Sequence, residues 1–212
     1  MSAREAILGR VSAALRDVPR SAPGAVPISR PGGVSEAEIG DVAALFTERV
    51  EDYRAVVTRV GADRVASAVA DAVRGASRVV VPDGLGRSWL DDLDGVEVVV
   101  DDGALTAAQL DAVDGVVTAA AVGIATTGTI VLDHRPDQGR RALSLVPDRH
   151  VCLLRTDQLV ADVPQAMARL EDAVASGRPL TWISGPSATS DIELERVEGV
   201  HGPRRLHVVL VD

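Results

Sequence analysis

Aromatic residues are nearly missing from this chain: its 212 residues include one Phe, one Tyr and two Trp. The apolar share of 46% must therefore rest on Val, Leu, Ile and Ala. Such side chains pack well where helices lie on a Val-rich sheet. Cysteine is limited to Cys152. One thiol excludes an intrachain disulfide, a four-thiolate zinc site and an iron–sulfur cluster held by this chain alone. Cys152 lies in the run Val151-Cys152-Leu153-Leu154, the setting of a core cysteine acting as a small hydrophobe. No signal-peptide stretch is present, and no apolar run approaches the ~18 residues of a membrane span. A cytoplasmic protein with no membrane span is expected. Basic residues are outnumbered, 22 Lys and Arg against 31 Asp and Glu, for a formal charge of −9. An acidic surface repels phosphate backbones, so no nucleic-acid partner is expected. The pairs Arg140-Arg141 and Arg204-Arg205 are local exceptions. They read either as clamps for a small anion or as solvated surface charges.

Residues 1–34 read as an N-terminal helix and a Pro/Gly-rich linker, and 35–212 as an α/β domain. From Arg4 to Leu15, Ile7, Leu8, Val11, Ala14 and Leu15 recur at helical spacing. Pro19, Pro23, Pro27 and Pro31 then fix an extended tether. Ser35 and Glu38 match a capping box for a helix carrying Ile39, Val42, Phe46 and Val50 on one side. Beyond it, strands are expected at 55–60, 79–81, 96–100, 115–120, 130–132, 151–154, 180–184 and 206–211. Helices are expected at 63–73, 87–93, 106–113 and 163–175. Continuous apolar strands imply burial on both faces. Alternation with helices implies crossovers and a three-layer, largely parallel sheet.

Three clusters carry chemistry. Small residues in Val122-Gly123-Ile124-Ala125-Thr126-Thr127-Gly128-Thr129 let a ligand approach the backbone, or simply form a tight turn between two strands. Ser184-Gly185-Pro186-Ser187-Ala188-Thr189-Ser190-Asp191 sets N–H and O–H donors around a stiff turn. That arrangement suits a phosphate or carboxylate, or serves as a cap. His201-Gly202-Pro203, with His207 after it, offers imidazoles for catalysis or for fixing a loop. The histidines lack metal-ligand spacing, and no metal is expected. No Gly-x-Ser-x-Gly elbow, no Gly-Lys-Ser or Gly-Lys-Thr phosphate loop and no complete dinucleotide fingerprint occurs; Gly84-Leu85-Gly86 lacks its third glycine.

The chain resembles the LUD-domain family, that of lactate utilization protein C and its relatives. The matching segments are Gly123 to Ile130, Arg141-Ala142-Leu143-Ser144-Leu145-Val146-Pro147 with His150, Ser184 to Glu193, and Gly199 to Val208. The resemblance covers roughly Ala55 to Asp212. It implies a fold similar to the sugar-phosphate isomerase and coenzyme A transferase group. It also implies a role in oxidising L-lactate to pyruvate, as a non-redox subunit without a cofactor beside iron–sulfur partner proteins. The family commonly has a glutamate where this chain has Thr126. Threonine cannot act as a carboxylate base or nucleophile, which weighs against transferase-like acyl chemistry. A stand-alone enzyme on a phosphorylated or acyl-coenzyme A substrate is the alternative, as is a regulatory or scaffold subunit with a vestigial pocket. No catalytic residue is assigned. For a small carboxylate or phosphate ligand, the expected binding residues are Thr127, Gly128, Thr129, Gly185, Pro186, Ser187, Thr189, Asp191, His201 and Gly202. They are expected to meet in one cavity at the carboxyl edge of the sheet, where open α/β sheets hold ligands.

Overall fold

The computed structural model describes residues 2–17, 40–189, 197–198 and 202–212. Ser35, Glu38, Asp191 and His201 lie outside the described residues. The chain divides into two units, Met1–Gly32 and Gly33–Asp212. In the first, helix α1 (Ala3–Ala14) starts at a capping box: Glu5 N–H donates to Ser2 Oγ at 3.2 Å, and Ser2 N–H to Glu5 Oε2 at 2.7 Å. No residue of α1 is buried, and Ile7, Leu8, Val11 and the following Leu15 are exposed.

In the second unit the strands are, in chain order, β1 (Val56–Val60), β2 (Arg78–Pro82), β3 (Glu97–Asp101), β4 (Gly115–Ala119), β5 (Val122–Ile124), β6 (Thr129–Leu132), β7 (Arg149–Arg155), β8 (Leu159–Val160), β9 (Thr181–Ile183), β10 (Ala188–Thr189), β11 (Val197–Glu198) and β12 (Arg205–Val211). The helices are α2 (Val42–Asp52), α3 (Val65–Ala72), α4 (Ala107–Asp111), α5 (Val163–Arg169) and α6 (Glu171–Ala175). Six strands form one parallel sheet in the order β1-β12-β7-β4-β2-β3. This is the parallel α/β architecture that the Val-rich runs imply.

The period of two along the strands divides the core. Val79, Val81, Val117, Val151, Leu153 and Val209 face α3, whose Val65, Ala68 and Val69 recur on one side. Cys152, Leu154, Val208 and Leu210 face the opposite way, toward Phe46 and Val50 of α2 and Ile130 and Leu132 of β6. Each such aliphatic side chain, once buried, contributes about 1.5–3 kcal/mol. Asp41 caps α2 by accepting the Ala44 N–H at 3.0 Å.

A second sheet, β8-β5-β6-β9, covers that face. Its β6 runs antiparallel to both β5 and β9. Gly123 lets the two sheets approach: a Cβ there would stand 2.6 Å from Leu154 Cδ2 and from Leu159 Cδ2. On the outer side Val122, Ile124, Val131 and Val160 pack on Ala166 of α5 and on Leu170.

The expected 163–175 helix is two helices. The chain leaves helical geometry at Leu170, with φ −95° and ψ 4°, and its N–H is shared between the Ala166 and Met167 carbonyls. The expected 87–93 helix is a single 3-10 turn, Arg87–Leu90. Residues 122–129 are two strands and a tight turn, with Gly128 N–H donating to Ala125 O at 3.4 Å.

Candidate functional site

A cleft of 520 Å³ opens at the carboxyl edge of the central sheet, where β2 ends at Pro82 and β3 at Asp101. Its back wall is the loop from Asp133 to Arg141, which follows β6. That loop is pinned across the strand ends: Gly84 N–H donates to Pro136 O at 3.1 Å, and Ala119 N–H to Asp137 O at 3.0 Å. Asp101, its side chain 2% exposed, accepts Arg140 Nε–H at 2.8 Å and Arg140 Nη2–H at 3.1 Å. Arg140 also donates to the Leu105 carbonyl. A bidentate, largely buried pair of this kind fixes geometry more surely than it adds stability.

Two further buried groups set the loop. The Gln138 Oε1 accepts the N–H groups of Asp133 at 2.7 Å and His134 at 3.2 Å. Asp133 Oδ2 forms an ion pair with Arg135 Nε at 2.9 Å and accepts Arg178 Nη2–H at 3.1 Å. His134 takes the left-handed φ of 56°. Its Nδ1 lies 2.7 Å from the Gly139 carbonyl and its Nε2 lies 2.8 Å from Thr181 Oγ1. A carbonyl only accepts, so Nδ1 carries the proton and Nε2 accepts from the threonine hydroxyl. His134 thus ties the wall loop to Thr181 of β9.

The rim carries Asp83, Asp102, Arg135 and Arg141. The Arg141 guanidinium forms no ion pair among the described residues, which leaves its fork for a ligand. Three carboxylates and three guanidiniums line the cleft with His134. Such a mixed set suits a small polar molecule bearing one carboxylate and a hydroxyl or carbonyl group.

Only part of the site expected from sequence lines a cavity, and that cavity is elsewhere. It measures 240 Å³ and is lined by Gly185, Pro186, Ser187 and Gly202 with Ser144, His150 and Leu206. His150 and Leu206 are the second residues of β7 and β12, which puts this pocket at the amino edge of the sheet. The expected carboxyl-edge position is therefore corrected. The cause is β9: it belongs to the smaller sheet, so the loop leaving it crosses to the start of β12. Gly185, at φ 90°, sits against Tyr53, and a Cβ there would be 2.5 Å from Tyr53 Cβ. Ser187 N–H donates to Pro203 O at 2.9 Å, joining the Ser187 and Gly202 segments.

Thr127 and Thr129 share a hydroxyl bond of 2.8 Å, and Thr129 Oγ1 lies 2.7 Å from Ser184 Oγ. These hydroxyls satisfy one another; Ser184 lines the pocket, and Thr127 and Thr129 do not. Gly128, at φ 58°, lies on the Arg49 backbone, its absent Cβ 2.7 Å from Arg49 C. Thr189 belongs to β10. Among the described residues, those lining the pocket other than His150 carry no titratable side chain. His150 is buried, and burial pushes its pKa down to about 4 while its Nε2 lies 2.8 Å from Thr118 Oγ1.

A protein-family model, LUD domain, matches residues 44–211. The chain is 48% identical over 211 residues to lactate utilization protein C of Deinococcus radiodurans, covering 99% of this chain and 97% of that protein. It is 32% identical over 99 residues to lactate utilization protein C of Bacillus subtilis, covering 45% of this chain and 41% of that one. The crystal structure of a DUF162 family protein from Deinococcus radiodurans superposes with a TM-score of 0.72 at 43% identity, over 84% of this chain and 99% of that chain. The chain belongs to the LUD domain family.

In this LUD domain Cys152 is a core residue. Burial pushes its thiol up to about 12, and Sγ lies 3.9 Å from the Ala119 carbonyl. That thiol stays protonated at neutral pH and is poorly suited to ligation or attack. Among the described residues, no group of three or more His, Cys, Asp or Glu is placed to hold a metal ion, and no helix is long and apolar enough to cross a membrane. Sequence reasoning singled out Arg140 and Arg141 as a pair but not their neighbours Asp101, His134 and Arg135. The usable signal was position: Asp101 ends a strand run, and strand ends are where ligands gather.

Proposed function

We infer that this LUD domain is a non-redox component of a lactate utilization system, supporting oxidation of L-lactate to pyruvate beside iron–sulfur partner proteins in the cytoplasm. The observation that carries the reading is the similarity to a lactate utilization protein C along nearly the whole chain. The carboxyl-edge cleft supplies chemistry to match. Arg141 meets a carboxylate through its fork, and Asp83 or Asp102 accepts the 2-hydroxyl proton of a lactate-type ligand. The pair between buried Asp101 and half-exposed Arg140 holds the wall that presents Arg141.

A clean deletion is the test, with regrowth on L-lactate restored by the wild-type gene and poorly by Arg141→Gln. Normal growth of the deletion strain on lactate overturns the reading. Co-purification with cluster-bearing proteins supports the partner assignment, and recovery of the chain alone refutes it.

A second seat for the carboxylate is the amino-edge pocket, through Gly185, Pro186, Ser187 and Gly202, with Thr127, Gly128, Thr129, Thr189, Asp191 and His201 as its supporting residues. The donor-rich loop favours it, although its lining holds no Lys or Arg among the described residues. Loss of lactate binding in Ser187→Ala with retention in Arg141→Gln selects this pocket over the cleft.

A further inference from the structure

A third cavity, of 270 Å³, lies at the amino ends of β1 and β12 beside the end of α3. Its wall holds Arg54, Arg74, Arg149, Arg204 and Arg205, together with His207. In a chain whose formal charge is −9, this is a local reversal of sign. Five elements of sequence converge to make it: the turns after α2 and α3, the start of β7, and both the approach to β12 and β12 itself.

The donors are pre-positioned. Arg149 Nη1 donates to the carbonyls of Ala72 at 3.4 Å and Arg74 at 3.2 Å, so the guanidinium is tied to the end of α3. Its remaining nitrogens have no partner among the described residues. Arg205 forms no ion pair among the described residues, whereas Arg74 pairs with the exposed Asp71 and Arg204 Nε–H donates to Asp148 Oδ1. His207 Nε2 lies 2.8 Å from Thr58 Oγ1. Burial, with Arg149 nearby, lowers the His207 pKa, so the ring stays neutral at neutral pH and adds no further repulsion.

A monocarboxylate can engage one guanidinium fork. The open donors of Arg149 and of Arg205, set among further guanidiniums around a compact hollow, match an anion that concentrates charge on many oxygens, and tetrahedral phosphate does this. We propose that this cavity is a phosphate site, taking the diphosphate or phosphate-ester group of a small metabolite. It stands at the edge of the sheet opposite to the carboxyl-edge cleft, so it does not depend on the lactate reading.

Isothermal titration of the full chain at low salt tests it, with inorganic pyrophosphate, a nucleoside diphosphate, a sugar phosphate and citrate as probes. Pyrophosphate binds the wild type, and Arg205→Gln and Arg74→Gln each weaken it roughly 10-fold. Arg141→Gln, in the other cleft, leaves pyrophosphate binding unchanged. Circular dichroism confirms that each variant is folded; both side chains are exposed and neither supports the core. Tighter binding of the nucleotide or of the sugar phosphate than of pyrophosphate names the source and supports the site. Absence of binding by every phosphate compound overturns the proposal. So does wild-type affinity in both variants, or citrate binding as tightly as pyrophosphate.

Discussion

His150 offers a quantitative test of the packing around β7. The residue is 1% exposed, and its ring reaches Thr118 across the sheet. Burial lowers its pKa from 6.5 to about 4. Because the folded value is the lower one, the unfolded chain takes up the proton first as pH falls. Stability is intact above the unfolded value and drains away through the interval down to about 4. The full interval corresponds to about 3 kcal/mol, of which about 2 kcal/mol disappears between about pH 7 and about pH 5. For a domain of this size that is a drop of about 4–8 °C in Tm. The comparison is between wild type and His150→Gln, each melted by calorimetry at both pH values. Other titrating groups, including His207 and Asp137, act alike in the two proteins and cancel in the difference. The variant has a lower Tm at neutral pH but a shallower dependence on acid. Equal acid dependence in the two proteins would refute the claim that His150 is held neutral by its surroundings.

Three further outcomes are expected. Phe46→Ala empties the largest fully buried side chain, the sole Phe of the chain, and costs about 3–5 kcal/mol in urea unfolding; a loss below about 1 kcal/mol means the small sheet collapses into the space. Gly185→Ala forces a Cβ onto Tyr53 at a left-handed φ of 90° and costs about 2–4 kcal/mol, read from the urea midpoint against wild type. Asp101→Asn weakens the pair to Arg140, whose side chain is 36% exposed and can turn to water; the expected cost is about 1–3 kcal/mol, with lactate binding weakened in parallel, and an unchanged urea midpoint would show that the pair does not hold the loop.

Strands announced themselves in the long Val-rich runs of the central sheet. Val79-Val80-Val81, Val151 to Leu154 and Leu206 to Val211 read as strands and stand in the central sheet. The short members of the second sheet were harder. Val122-Gly123-Ile124 carries a glycine because of its close approach to Leu154 and Leu159, and a glycine in so short a run reads as turn chemistry. Leu159-Val160 is two residues long, too few for any period. Which sheet β9 joins cannot be read from Thr181-Trp182-Ile183, since pairing with β6 is a long-range contact. The misplacement of the Ser187 loop follows from that single ambiguity. The cleft was obscure for a related reason: Asp101 and Arg140 are far apart in sequence, and only the folded loop makes them a pair.

The strand order has a bearing on biosynthesis. The sheet seats β12 between β1 and β7, so a strand made after both of its neighbours fills a central slot. Until Arg205–Val211 leaves the ribosome tunnel, β1 and β7 each present an open row of amides and carbonyls. Every nascent copy passes through a stage in which two aliphatic edges wait unpaired, exposed to strand exchange with neighbours. Ribosome stalling or premature termination upstream of Arg205 would thus yield a sticky, unfinished half-sheet, and chaperone demand should track synthesis of Arg205–Val211.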